Sequence, residues 1–364
     1  MDHAAAEPTA ATLSSTARTW ALHLVSLAVP LYVLAFVATG PHRGYAALPW
    51  LAVIPAVVLL DRWSGPALHR PLEGMPAWPF DALLVALALV QLAGVALGAR
   101  LVAASGLLSA DALVAALLVG LTSGYSTIVV AHELIHRRAR GMILLGRLLL
   151  ATVFYEHFYT EHVRGHHARV GTDEDAASAR FGETYSAFFR RTVPAQLRSA
   201  WRIEAKRLGD EDMKGYDPRL VRSAVVHGIA FEVALALAVL AALGPAALVL
   251  HLVQASLAIR LLEAVNWFEH YGLRRRGRRV RPVDSWDSDS FFTLFALVGL
   301  SRHADHHAYA ARPYQALRTW EESPKLPHGY IVTTLMTIFA NGRLRALLGE
   351  ELARKKLGPF AEPA

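Results

Sequence analysis

Long apolar runs, separated by short polar and basic stretches, set the character of this chain. A helix that crosses a bilayer needs about 20 mainly apolar residues to span roughly 30 Å of hydrocarbon. Four early segments approach that length, at 20–39, 45–60, 80–97 and 110–131. Two more fit between residues 223 and 266, divided by "LGP" at Leu243 to Pro245, where glycine and proline permit a tight turn. The pattern predicts an all-α polytopic membrane protein of about six spans in three hairpins. A further apolar stretch, 141–158, is interrupted by Arg147 and Glu156 and reads as an interfacial or re-entrant helix.

Composition supports this class. The 364 residues are 54% hydrophobic and 18% charged, with positive mean hydropathy, which separates the chain from a pair of soluble domains. There is no cysteine, so a disulfide framework, a thiolate metal site and a built-in iron–sulfur or rubredoxin-type centre are all excluded. The net charge of +7 is uneven: Lys and Arg crowd 137–222 and 273–281, while the turn near Leu243 has none. The bias of basic loops places both segments, and with an even number of spans the N-terminus, on the cytoplasmic side. Nothing beside the charge resembles a nucleic-acid motif. Residues 1–18 are polar and lack the basic start of a secretory signal, so they read as a disordered cytoplasmic tail. Residues 19–345 form the membrane domain, and 346–364 a C-terminal tail.

Seventeen histidines are present. His3, His23, His42, His69, His157, His227, His251 and His328 stand alone and are expected at surfaces, interfaces or hydrogen bonds. The other nine fall into four blocks. "HELIH" carries His132 and His136, which stack on one face of a continuing helix. Alone, this spacing is also that of a zinc peptidase. "EHVRGHH" carries His162 and His166 on a shared helical face, with His167 pointing elsewhere; such a triplet can serve two metals. "NWFEHYG" places His270 at the same predicted depth as His132, and "RHADHH" carries His303, His306 and His307. Nine imidazoles exceed what tetrahedral zinc uses, since a catalytic zinc takes three protein ligands and an open position. Two metals divide them naturally, but imidazole suits iron, copper, nickel and zinc alike.

In this order the four blocks resemble the motifs of integral-membrane alkane hydroxylases, within the larger fatty-acid desaturase/hydroxylase superfamily; the resemblance covers about residues 19–317. It implies a cytoplasmic centre of two iron ions, held by His132, His136, His162, His166, His167, His270, His303, His306 and His307. It also implies O2-dependent insertion of oxygen into a terminal C–H bond, with an n-alkane giving a 1-alkanol in a bacterial inner membrane. Cleaving such a bond is beyond any side chain, so the metal carries that chemistry. With no cysteine in the chain, electrons must arrive from outside, and the resemblance implies rubredoxin or ferredoxin with its reductase as the donor. The sequence departs from the family pattern at Arg137 (commonly Lys), at "DSWD" from Asp284 to Asp287 (commonly HSWN) and at Ser301 (commonly Gln). Aromatic methyl groups or fatty acids, desaturated or decarboxylated, remain alternative substrates. A membrane zinc hydrolase or a metal transporter is the reading from another class; a transporter should carry ionisable residues in mid-span, where only Glu232 and Arg260 qualify.

Further residues invite roles around the blocks. Glu133, Glu161, Glu269 and Asp305 are placed to accept N–H bonds from ligating imidazoles, or else to pair with Arg137, Arg164 and Arg302. An apolar tunnel for a lipid-dissolved substrate is expected along the histidine-bearing spans, with Leu134, Ile135, Trp267 and Phe268 as lining residues. The basic run Arg274, Arg275, Arg276, Arg278, Arg279 and Arg281 suits the docking of a small acidic electron donor, or contact with anionic lipids.

Overall fold

The computed structural model describes residues 10–67, 71 and 74–362; His3, His69 and the first half of the expected N-terminal tail lie outside them. Ten helices organise these residues: α1 (Thr16–Thr39), α2 (Val53–Trp63), α3 (Trp78–Ser105), α4 (Ala110–Ile135), α5 (Arg140–Ala151), α6 (Tyr185–Arg207), α7 (Ala224–Leu243), α8 (Pro245–His270), α9 (Tyr330–Phe339) and α10 (Asn341–Lys355). Shorter helical turns lie between them, and no strand forms among the described residues.

Five helices, α1, α3, α4, α7 and α8, are long and apolar enough to cross a membrane. The stretch expected as a second span, 45–60, is instead a 3-10 turn at Leu48–Ala52 leading into the 11-residue α2. Pro49 near the start of that turn and the buried Asp61 near the end of α2 bound its apolar length. Asp61 is a staple. Its carboxylate accepts from Ser290 Oγ (3.1 Å), Thr293 Oγ1 (2.5 Å) and the backbone N–H of Val332 (2.9 Å), tying α2 to the start of α9.

The capping chemistry follows the sequence. Ser109 and Ser223 accept from backbone N–H groups in the first turns of α4 and α7. Gly244, at φ 82°, ends α7 where Pro245 opens α8. α4 and α8 approach closely because Gly120 and Gly124 face them: a Cβ there would lie 2.6 and 2.5 Å from side-chain atoms of Leu257 and Leu261. Small residues at such spacing let membrane helices come together.

Three expectations for the ends and the re-entrant stretch need comment. Helix already runs from Ala10 to His23, so the latter half of the presumed tail is ordered backbone continuous with the first span. At the other end α10 buries Leu344, Leu348 and Leu352 in the main core, so residues 346–355 belong to a packed helix. The 141–158 stretch forms α5, which packs back along α4 with Gly146 against Leu134 and Ile135, then turns at Phe154, where φ is 54°. Arg147 and Glu156, which interrupt its apolar pattern, pair with each other.

Candidate metal centre

Four short segments close on one point at the ends of α4 and α8. α4 supplies His132 in its last turn and His136 at its C-cap; α8 ends on His270. The segment 158–169 supplies His162, His166 and His167, and a helical turn, His303–Ala308, supplies the last three. The nine imidazoles sort into two groups, one of His132, His136, His162, His167 and His306, the other of His166, His270, His303 and His307, with ligand atoms in each group all within 4.8 Å of one another.

The sorting differs from the helical spacing expected for "EHVRGHH". The backbone from His162 to His166 is a π-helix, in which residues five apart stack. His162 and His167 therefore share the first group, with Nε2 atoms 3.0 Å apart, and His166 turns to the second, 3.3 Å from His307. A second π turn, Ser123–Ile128, lies in α4 just before His132. In the last block ordinary α-helical spacing holds, so His303 and His307 face one group and His306 the other.

Nitrogen lone pairs explain what such a cluster needs. Further Nε2 contacts run from His136 to His162 (3.1 Å), from His306 to His167 (3.2 Å) and from His303 to His270 (3.2 Å), while His132 Nε2 is buried with no hydrogen-bond partner. A neutral imidazole has one N–H and one lone pair, so this many converging nitrogens cannot all be satisfied by one another. Burial holds His136 down at about 4, and His162, His167, His303, His306 and His307 well below the usual imidazole range, with neighbouring imidazoles adding to the effect. Neutral rings with inward lone pairs fit cations, and an all-nitrogen donor set fits iron.

One ring is different. His166 Nδ1 lies 2.9 Å from Asp175, and although burial works against a charge on His166, that carboxylate outweighs it and raises the imidazole. Asp175 is itself held by Ser178 Oγ (2.6 Å) and the backbone N–H of Ala177 (3.2 Å), and is pulled down to about 2, burial being outweighed by His166 and these bonds. Asp175 escaped the sequence reading because it stands outside every histidine block, nine residues after its partner; the only trace was an acidic cluster, "DED", following the second block.

Of the four acids expected to support the imidazoles, only Glu269 touches one. Its Oε2 lies 3.3 Å from His303 Nε2, the nitrogen that faces the cluster, and its Oε1 accepts from Tyr330 Oη at 2.9 Å. Glu133 accepts from the backbone N–H of Tyr314 and pairs with Arg137 (3.3 Å). Glu161 pairs with Arg169 in place of Arg164, and Asp305 with Arg312 in place of Arg302, also accepting from Trp320 Nε1. Arg302 is buried and engages Asp289, while Asp287 of "DSWD" pairs with Lys325 at 2.9 Å.

An apolar cavity of about 140 Å³ lies between α1, α2, α4, α8 and α9, walled by Val29, Val53, Val57, Leu121, Leu261 and Leu335 among others. Gly124, Val129, Val265 and Leu300 also line a smaller space of about 30 Å³, which reaches His132, His162, His303 and Glu269. The two spaces thus share these four lining residues, one space in the apolar interior and the other at the imidazoles. None of the four residues expected to line a tunnel lines either. Leu134 and Ile135 pack on α5, Phe268 meets the Tyr330 ring edge-on at 4.9 Å, and Trp267 donates to the carbonyl of Glu183. Helical periodicity accounts for three of them: 129, 132 and 136 share one face of α4, and 261 and 265 one face of α8, so 134, 135 and 267 point elsewhere, while Phe268 is taken up by the Tyr330 ring.

The basic run after α8 is largely exposed, with Arg275 partly covered. Arg274 pairs with Asp173, and Arg275 and Arg276 donate to the carbonyls of Ala168 and Glu362. Among the isolated histidines, His42 is bonded to Asp111 and His227 to the carbonyl of Val221, as expected. His157 and His251 are instead buried with ring nitrogens unpartnered.

Known proteins are similar to this chain in sequence. Residues 109–334 match the fatty acid desaturase family model. The chain is 42% identical to alkane 1-monooxygenase 1 of Pseudomonas aeruginosa over 58% of its own length, spanning 56% of that relative. It is 30% identical to alkane 1-monooxygenase 1 of Alcanivorax borkumensis over 85% of its length and 79% of that relative. Similarity at 26% extends to the hydroxylase component of the xylene/toluene monooxygenase of Pseudomonas putida, over 65% of this chain and 62% of that one. With all four histidine blocks inside the matched region, the chain belongs to the fatty acid desaturase family and, within it, to the integral-membrane alkane hydroxylases.

Proposed function

We propose that this protein is a di-iron membrane monooxygenase that converts an n-alkane to a 1-alkanol, using O2 and electrons from rubredoxin or ferredoxin. The observation that carries the reading is that the apolar cavity and the space beside the imidazoles share Val129, Val265 and Leu300 as walls. The nine histidines hold the two irons, which when bound supply the oxygen activation that breaks the C–H bond. A proton on His166 Nδ1, donated to Asp175, leaves Nε2 free to face a metal and fixes the ring's orientation. Valine and leucine walls take up an alkyl chain and exclude water, and the narrow end admits a terminal carbon first. Tyr330 lines the cavity and holds its hydroxyl proton on Glu269 Oε1, so a protic group stands at the boundary between cavity and cluster. The basic segments at the histidine end support a cytoplasmic site in a bacterial inner membrane.

Membranes carrying the full chain, supplied with a reductase–rubredoxin couple, octane and isotopically labelled dioxygen, test the reading by mass spectrometry. Labelled 1-octanol supports it. If octane is untouched while iron is bound and the donor is competent, the substrate lies among methylarenes or fatty acids.

A further inference from the structure

Beside the centre lies a groove of about 580 Å³, between α6 and the segment 173–180. Asp175 lines it, and Asp175 is the carboxylate bonded to His166. Asp175 is buried at the back of the groove, so one carboxylate and one imidazole lie between the groove and the cluster, since His166 Nε2 already meets His307.

The walls are basic. Arg191, Arg198, Arg202 and Lys206 follow one another at helical spacing along a single face of α6, and Arg180 stands on the opposite side. Arg191 is bound to Glu183, and Lys206 lies 3.7 Å from Glu211. Arg180, Arg198 and Arg202 are exposed and make no ion pair among the described residues. Three free guanidinium groups therefore ring the route to His166. Arg278 and Arg279 are exposed too, but they line neither this groove nor the adjoining cavity around Gly171 and Arg274.

We propose that this groove seats the electron donor, a small acidic one-electron carrier protein, and that Asp175 and His166 form the path by which its electron enters. This rests on the monooxygenase reading and gives the partner its place. The carrier leaves oxidised after each encounter. Two encounters, with two protons from solvent, balance the insertion of one oxygen atom into the substrate and the reduction of the other to water. Charge complementarity suits a protein with an acidic face, because the free guanidinium groups of Arg180, Arg198 and Arg202 spread positive charge along the groove.

The test uses the full-length protein, iron-loaded, in discs of zwitterionic lipid, with rubredoxin as the probe. Binding is measured directly, apart from turnover. For the variant R198E/R202E we expect affinity to fall about tenfold at low salt, with the deficit shrinking as ionic strength rises. The apparent KM for rubredoxin should rise in step, while kcat at saturating rubredoxin and iron content stay as in the parent. Unchanged affinity in R198E/R202E together with a loss in R278E/R279E overturns the proposal in favour of the loop after α8. A deficit seen only in discs of anionic lipid overturns it in favour of a membrane contact. A protein that binds rubredoxin through the groove yet hydroxylates nothing keeps the docking site and removes the monooxygenase reading.

Discussion

His162 and His167 stand five residues apart and bring their Nε2 atoms to 3.0 Å, a pairing that depends on the π-helical turn between them. Inserting one alanine after Val163 should set His162 and His167 six residues apart and rotate His166 and His167 out of their groups. The expected outcome is loss of bound iron by elemental analysis of the purified variant. Full iron content after the insertion would show that the spacing across the turn is dispensable.

Single substitutions should divide the centre. His306→Ala removes a donor from the five-histidine group and His270→Ala one from the four-histidine group. Each variant should lose the metal of its own group first, and spectroscopy on iron-57-enriched protein can tell which remains. Identical residual spectra from both variants would count against two separable sites.

Asp175→Asn keeps the size of the side chain but weakens its hold on His166 Nδ1. Loss of such a supporting carboxylate costs about 10- to 100-fold in metal affinity. Iron should therefore pass faster to an external chelator, and an unchanged release rate would mean that His166 is positioned by packing alone.

Val265 borders both the large cavity and the small one beside the imidazoles. Val265→Phe should lower octane hydroxylation by about tenfold or more, since an overfilled apolar site rejects its substrate sterically. Iron content should not change. Trp267→Phe, two residues away on the other face, serves as the contrast: it removes the bond to Glu183 and should lower thermal stability while leaving chain-length preference alone.

Acid sensitivity has a local source at His157. Burial pushes its imidazole down to about 4, against about 6.5 in an unfolded chain. Between those values the unfolded chain takes up a proton that the folded protein refuses, so stability falls as pH drops through that window. In His157→Phe that uptake is gone. On going from about pH 7 to about pH 5 its Tm should fall less than the parent's; equal falls would place the acid sensitivity elsewhere.

Much of this was legible in the sequence because membranes make composition speak. Apolar length located the five long spans, and histidine spacing located all nine imidazoles that meet. What stayed hidden depended on facing and on closure in space. The π turn at His162–His166 reassigns two rings without any change in residue type. Leu134 and Trp267 are as apolar as Val129 and Val265, and only helical phase separates packing residues from cavity residues. Asp175 reaches His166 through a loop closure with no periodic signature. The short α2 gave up its place as a span because a carboxylate, Asp61, is needed at its end to hold α9.

Both histidine groups draw on the last block, His306 for one and His303 with His307 for the other. During synthesis, therefore, neither site is complete until the ribosome has moved past residue 307, after every long span has been made. Metal capture belongs to the period after membrane insertion, and the nascent chain passes through a stage in which six buried-to-be imidazoles await their partners. A message truncated before His303 would yield a protein that enters the membrane but never matures, which makes the final block a quality check as well as a source of ligands.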